Sequence, residues 1–129
     1  MTVREYGRPP ETADSDHPVH KGRAWMEHAF ITDDEGNPRG GESSGEGFKI
    51  TWQNGVLEPT GATVEDLIAT LIMRMRYYQG ELPGQEAAEG KFRCRENFLV
   101  ITHLEDALHW QQHRTRERRS RGVEGTYKK

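Results

Sequence analysis

A single cysteine, Cys94, is all the chain offers to sulfur chemistry. No intrachain disulfide framework is available, and a reducing cytosol is the natural setting. Apolar residues are also scarce, 33% of the chain against 30% charged, so one copy has material for only a thin core. Small folds of that composition gain stability by burying surface against copies of themselves, and self-association is expected. No apolar run approaches the roughly 18 residues needed to cross a bilayer. The N-terminal MTVREYGRPPETADSDHPVH lacks the apolar centre of a secretory signal. The expected protein therefore stays inside the cell and off the membrane. No pair of carboxylates stands out for acid–base hydrolysis, and the expectation is a protein that is not an enzyme and carries no cofactor.

The charge that is present is unevenly placed. A net charge of −3 conceals 10 acids and 5 bases in residues 1–47, 6 and 3 in residues 48–90, and 5 and 10 in residues 91–129. A local basic end on an otherwise acidic protein points to a compact anion as ligand, not to general adhesion to nucleic acid.

Along the chain, residues 1–23 read as a flexible lead, with Pro9, Pro10 and Pro18 among scattered charges and little to bury. A single domain is expected over 24–129. Its β-part covers 24–58: AWMEHAFIT is apolar and β-compatible, and DDEGNPRGGESSGEG reads as an extended turn-rich loop. In GFKITWQNG, Phe48, Ile50 and Trp52 alternate with Lys49, Thr51 and Gln53, the period-2 pattern of a half-buried strand, and Asn54-Gly55 signals a turn. A first helix is expected over 63–80, with Thr63 as N-cap, Glu65 and Asp66 in its first turn, and Val64, Leu67, Ile68, Leu71, Met75 and Tyr78 at helical spacing. After a loop marked by Gly80, Pro83, Gly84 and Gly90, a second helix is expected over 92–120, with a tail over 121–129. The fold class is α+β: a small N-terminal antiparallel sheet followed by a C-terminal helical hairpin.

The second helix has a pattern of its own. Asn97, Ile101, Leu104, Leu108, Gln111 and Thr115 fall within about 40° of one line, with Arg118 close by. This stripe is apolar in the middle and polar at both ends. Asn97 and Arg114 stand roughly 25 Å apart along one helix, too far for a small ligand to touch both. Two copies paired antiparallel about Asp106 would bring Asn97 of one to Thr115, Arg114 and Arg118 of the other, making two polar pockets. Two guanidiniums present planar forks to phosphate oxygens, each charge-assisted bond worth roughly 1.5–3 kcal/mol. The same arginines equally suit a solvated helix end that offsets the helix dipole.

Other features have ordinary readings. His109 and His113 stand at i, i+4, but Trp-Gln-Gln lies between them where a zinc helix carries its glutamate, so a polar flank is expected and no metal. Glycines and serines over 40–47 do not spell a phosphate loop, and a strand follows them; a mobile hairpin loop is the reading. Cys94 lies about 13 Å along the helix axis from His103, too far for proton transfer. Trp110, Tyr77 and Tyr78 read as packing at the hairpin or at an oligomer interface, with Tyr77 off the apolar face.

Three stretches carry a family resemblance. CRENFLVITHLEDALHWQQHRTRERRSRGVEGT over 94–126 resembles the helical hairpin domain shared by phage anti-Thoeris and anti-CBASS signal sponges. GGESSGEGFKITWQNG over 40–55 and VEDLIATLIMRMRYYQ over 64–79 resemble the β-part and first helix of the anti-Thoeris branch. The resemblance spans 24–126. It implies a protein that binds, without cleaving, glycocyclic ADP-ribose isomers made by Thoeris TIR proteins, in the cytoplasm of the infected bacterial host. It also implies a homo-dimer or a homo-hexamer built from dimers, some relatives holding cyclic di- or trinucleotides at separate sites. By position Asn97, Arg114 and Arg118 would bind the signal and Phe92 would stack on adenine; Thr115 and Arg95 complete the candidate ligand-binding set. The rival functions are a nucleic-acid-binding phage regulator using the basic helix end, and a phosphodiesterase-like enzyme that destroys the same signals.

Overall fold

Four antiparallel strands followed by two helices make up the fold, as a computed structural model describes it for residues 2–6, 25–55, 58–86, 90–124 and 126. The strands are β1 (Thr2–Tyr6), β2 (Trp25–Thr32), β3 (Pro38–Gly45) and β4 (Phe48–Asn54), neighbours in sequence order in one antiparallel meander. The helices are α1 (Val64–Gln79) and α2 (Arg95–Ser120). This is the α+β class expected. Contacts divide the chain into two compact units, Met1–Ala62 and Thr63–Lys129. Thr2–Tyr6, inside the expected lead, pair with β2 as an edge strand. Residues 7–23 of that lead, together with Gly125 and residues 127–129 of the tail, lie outside the described residues.

The sheet corrects one reading. Pro38–Gly45, expected within a turn-rich loop, is strand β3, paired on both sides. Its glycines allow this. Gly41 has a φ of 117°, and a Cβ there would collide with the carbonyl oxygen of Ala29 on β2; only a residue without a side chain permits that approach. The strand's one buried side chain is Ser43. Its Oγ accepts from Trp52 Nε1 at 2.7 Å and lies 2.8 Å from His28 Nδ1. His28 also stacks on Phe30, ring centroids 5.6 Å apart. A strand poor in apolar residues is thus tied to both neighbours through one serine oxygen, besides its backbone ladders.

Asp33 closes the β2–β3 turn by accepting from the backbone N–H groups of Glu35 and Asn37, both at 2.9 Å, and from Arg39 Nε at 3.0 Å. Hydrogen bonds from the Asn37 backbone, helped by Asn37 and Arg39 side chains, hold its carboxyl below the ordinary aspartate range. After β4, Gly55 takes a φ of 87°. Residues 58–62 then fold back, with the Asn54 N–H donating to Thr60 Oγ1 and Thr60 and Gly61 N–H donating to Gln53 Oε1.

Helix α1 begins and ends where the residue chemistry predicts. Thr63 and Asp66 form a reciprocal capping box, Asp66 N–H to Thr63 Oγ1 at 3.1 Å and Thr63 N–H to Asp66 Oδ2 at 2.9 Å. Gly80 stops the helix in the left-handed region at φ 72°. Of the apolar residues expected to face inward, Leu67, Ile68, Met75 and Tyr78 are half-buried, whereas Val64 and Leu71 are exposed and Ile72 is the buried one. Helix α2 starts at Arg95 with Cys94 as N-cap, three residues later than expected, because Phe92 and Arg93 belong to a turn closed by Arg93 N–H on Gly90 O.

Candidate ligand-binding site

Helix α2 is one uninterrupted element of 26 residues. Phe92, Arg95 and Asn97 therefore sit at its start, and Arg114, Thr115 and Arg118 near its end. A single chain does not bring the two groups together. Each group has its own local setting.

At the start, Asn97 Nδ2 donates to Phe92 O at 2.9 Å, fixing the turn that carries the phenyl ring. Phe92 is 63% exposed and stands edge-on against Tyr78, centroids 5.9 Å apart. Arg74 lies over both Tyr77 and Tyr78, its guanidinium carbon 5.1 and 4.9 Å from the two centroids. Arg95 is exposed.

Gln79, which the sequence pattern does not single out, anchors this end. It is fully buried; its Nε2 donates to Cys94 O and its Oε1 accepts from Cys94 N–H, each at 3.0 Å. Arg93 reinforces the junction by donating to Gln79 O at 2.6 Å and pairing with Glu81. Gln79 makes the two bonds that a neighbouring strand would make, so the last residue of α1 is bonded to the N-cap of α2. A polar residue at the end of an apolar stripe was the available clue, but only the hairpin reveals its partner.

At the other end, Arg114 is exposed. Thr115 Oγ1 donates within the chain to Glu65 Oε1 on α1 at 3.0 Å, with Gln111 O at 3.2 Å as its alternative acceptor. Arg118 is 5% exposed. Its Nε donates to Glu124 Oε2 at 3.1 Å, and one terminal nitrogen donates to Val123 O at 3.0 Å and Thr126 O at 2.7 Å. Arg121 pairs with Glu117. Two arginines of the basic end are thus engaged inside the chain.

The polar-ended stripe is the seam of the hairpin. Asn97, Ile101, Leu104, Leu108, Gln111, Thr115 and Arg118 are the α2 residues that are not exposed, and α1 packs against that helix. The expected pairing of two copies through this stripe about Asp106 is therefore corrected: the apolar line is consumed within the chain. Beside the seam runs a groove of about 380 Å³ floored by Ile72, Met73 and Leu108 and rimmed by His109, Gln112 and the Arg76–Glu105 pair at 3.7 Å. His109 and His113 both lie edge-on to Trp110, itself 65% exposed. Cys94 is exposed.

This architecture has relatives. The family model described as Acb2/Tad1, hairpin domain, matches residues 45–116, more than half of the chain. A protein named Thoeris anti-defense 1, from Bacillus phage SBSphiJ7, is 37% identical over 122 residues, covering 79% of this chain and 80% of its own length. The sheet's last strand, α1, α2 as far as Arg116 and most of the candidate residues fall within the matched stretch, and the chain belongs to the Acb2/Tad1 hairpin-domain family.

Proposed function

We propose that this protein opposes a bacterial anti-phage defence by sequestration: it binds a cyclic nucleotide signal and holds it without chemistry. The observation that carries the reading is the 37% identity, across four-fifths of both chains, with a phage protein named for opposing Thoeris defence. The favoured ligands are glycocyclic ADP-ribose isomers, with cyclic di- or trinucleotides as further members of the same chemical class. Arg114 and Arg95, both exposed, would supply charge to phosphates; Phe92 would stack on a purine, and Asn97 and Thr115 would read hydroxyls or base edges. Sequestration needs tight binding and slow release, so no acid–base pair or nucleophile is required. The work would be done in the cytoplasm of the infected host, and among the described residues no helix is long and apolar enough to cross a membrane.

Because the two polar groups lie at opposite ends of α2, a complete site calls for a second copy. The seam being occupied, the copy would use another face. Val100, His103, Ala107, Trp110 and Arg114 are all exposed and share an arc of about 80°. An antiparallel pairing centred near Ala107 sets Arg114 of one copy beside Val100 of its partner, within about one turn of Asn97. A homo-dimer, or a hexamer of such dimers, follows.

The test is retention. The protein is incubated with a panel of cyclic ADP-ribose isomers and cyclic oligonucleotides, freed of unbound ligand and heated, and the released material is analysed. Intact ligand in near-stoichiometric amount is expected. No retention, or linear products only, overturns sequestration. The nucleic-acid rival predicts instead a salt-sensitive shift of DNA or RNA, which the internal pairing of Arg118 and Arg121 disfavours.

A further inference from the structure

We infer that His109 and His113 form a two-point clamp on the exposed side of α2 for a late first-row divalent cation such as nickel, copper or zinc, held by two neutral imidazoles beside Trp110. The absence of a glutamate between the two histidines excludes a hydrolytic zinc helix. It has no bearing on a site that only binds.

The backbone sets the reach. Helix α2 runs unbroken through both residues, so they stand one above the other, about 6 Å apart along the axis and with Cβ atoms about 5–6 Å apart. That spacing lets two ring nitrogens converge on one ion at metal–nitrogen distances of about 2.0–2.1 Å. Both side chains are exposed, and among the described residues neither is hydrogen-bonded or ion-paired. Their one ring contact is with Trp110, edge-on, with centroids 5.6 Å away in each case. Rotating exposed rings toward each other disturbs no buried contact.

The surroundings favour a cation of this class. Asp106, His109, His113 and Glu117 are all exposed and share an arc of about 80°, with an acid beyond each end of the histidine pair. Glu117 is tied to Arg121, and exposed Arg116 lies at the edge of the arc, so the local charge is not strongly negative. Imidazole nitrogen therefore sets the preference, for late transition cations over calcium or magnesium. Among the described residues no group of three or more histidine, cysteine, aspartate or glutamate side chains is placed to hold a metal ion; water fills the other coordination positions. His109 and His113 also lie off the arc proposed above for self-association, so the two readings fail independently.

The experiment titrates nickel(II) into the full chain, made without an affinity tag, and follows tryptophan fluorescence and heat. Saturable quenching is expected in the wild-type protein. Trp110→Phe removes it, because the indole beside the clamp is that one and not Trp25 or Trp52. His109→Ala and His113→Ala each weaken binding by roughly tenfold or more, since losing a direct ligand costs at least as much as losing an outer partner. His103→Ala removes another exposed histidine of the same helix and leaves the affinity unchanged. Circular dichroism of each variant matches the wild type, the replaced side chains being exposed. Absence of saturable binding by the wild-type protein overturns the inference. So does wild-type affinity in His109→Ala or His113→Ala, or an equal loss in His103→Ala.

Discussion

Gln79 shows how much a single polar side chain contributes when the apolar core is small. Among the described residues the buried apolar side chains are Ile72 and Ile101, so the hairpin depends on contacts that a hydrophobicity pattern ignores. Gln79 satisfies both backbone groups of Cys94, and its own carbonyl takes a charged donor from Arg93. Replacing it by Leu keeps the volume but removes both hydrogen bonds to the part-buried N–H and C=O of Cys94. The cost expected is about 2–3 kcal/mol, read from the midpoint of urea unfolding. A loss under about 1 kcal/mol would mean that water replaces the amide and that the residue is no anchor. Ser43 plays a comparable part in the sheet, holding Trp52 and His28 on one oxygen.

At the scale of elements, α1 is bounded by its own local chemistry. The Thr63–Asp66 box satisfies N–H groups that otherwise lack partners in the first turn. Thr63→Ala is expected to cost about 1 kcal/mol in thermal or urea unfolding. Hydrogen bonds from the Thr63 backbone and side chain hold the Asp66 carboxyl below its ordinary value. A carboxyl whose folded pKa is lowered contributes stability that is in full force above its unfolded value and is lost as pH falls through the folded one. Fraying of α1 is therefore expected only in acid, below the ordinary aspartate range. An NMR titration of Asp66 checks this, and a midpoint at or above the ordinary value would contradict the box. Helix α2 has no side-chain cap at Cys94; its start is held instead by Gln79, a partner distant in sequence.

At the scale of the whole molecule, two compact units of similar size follow one another along the chain, and large apolar side chains stay exposed in both, among them Phe30, Phe48, Leu71, Phe92 and Trp110. Uncovered apolar surface of this kind is a physical motive for the assembly proposed above. The proposed α2–α2 pairing makes a sharp demand: a glutamate at Trp110 puts a charge into the middle of the contact. In sedimentation velocity the native protein is expected to run as a dimer or larger species and Trp110→Glu as a monomer, with ligand retention lost along with association. If the variant assembles as the native protein does, the contact lies on another face.

The sequence by itself determined what local physics decides. The period-2 run at Phe48–Gln53, the capping box at Thr63 and the glycine at Gly80 each act over a few residues, and the α+β order, strand β4 and the limits of α1 were all legible from them. The family was legible as well, since α2 and its flanks carry a distinctive residue pattern. Only the tertiary structure decided which partner each surface meets. Strand β3 is built from glycine and serine, whose propensity reads as loop until two neighbouring strands supply its hydrogen bonds and Ser43 finds Trp52. The apolar line on α2 was evident from its spacing, yet periodicity records that a face is buried and not against what; α1 of the same chain takes it. Arg118 makes the same point for charge: a guanidinium in a basic run looks available, yet this one is nearly buried and bonded to Glu124, Val123 and Thr126 of its own chain.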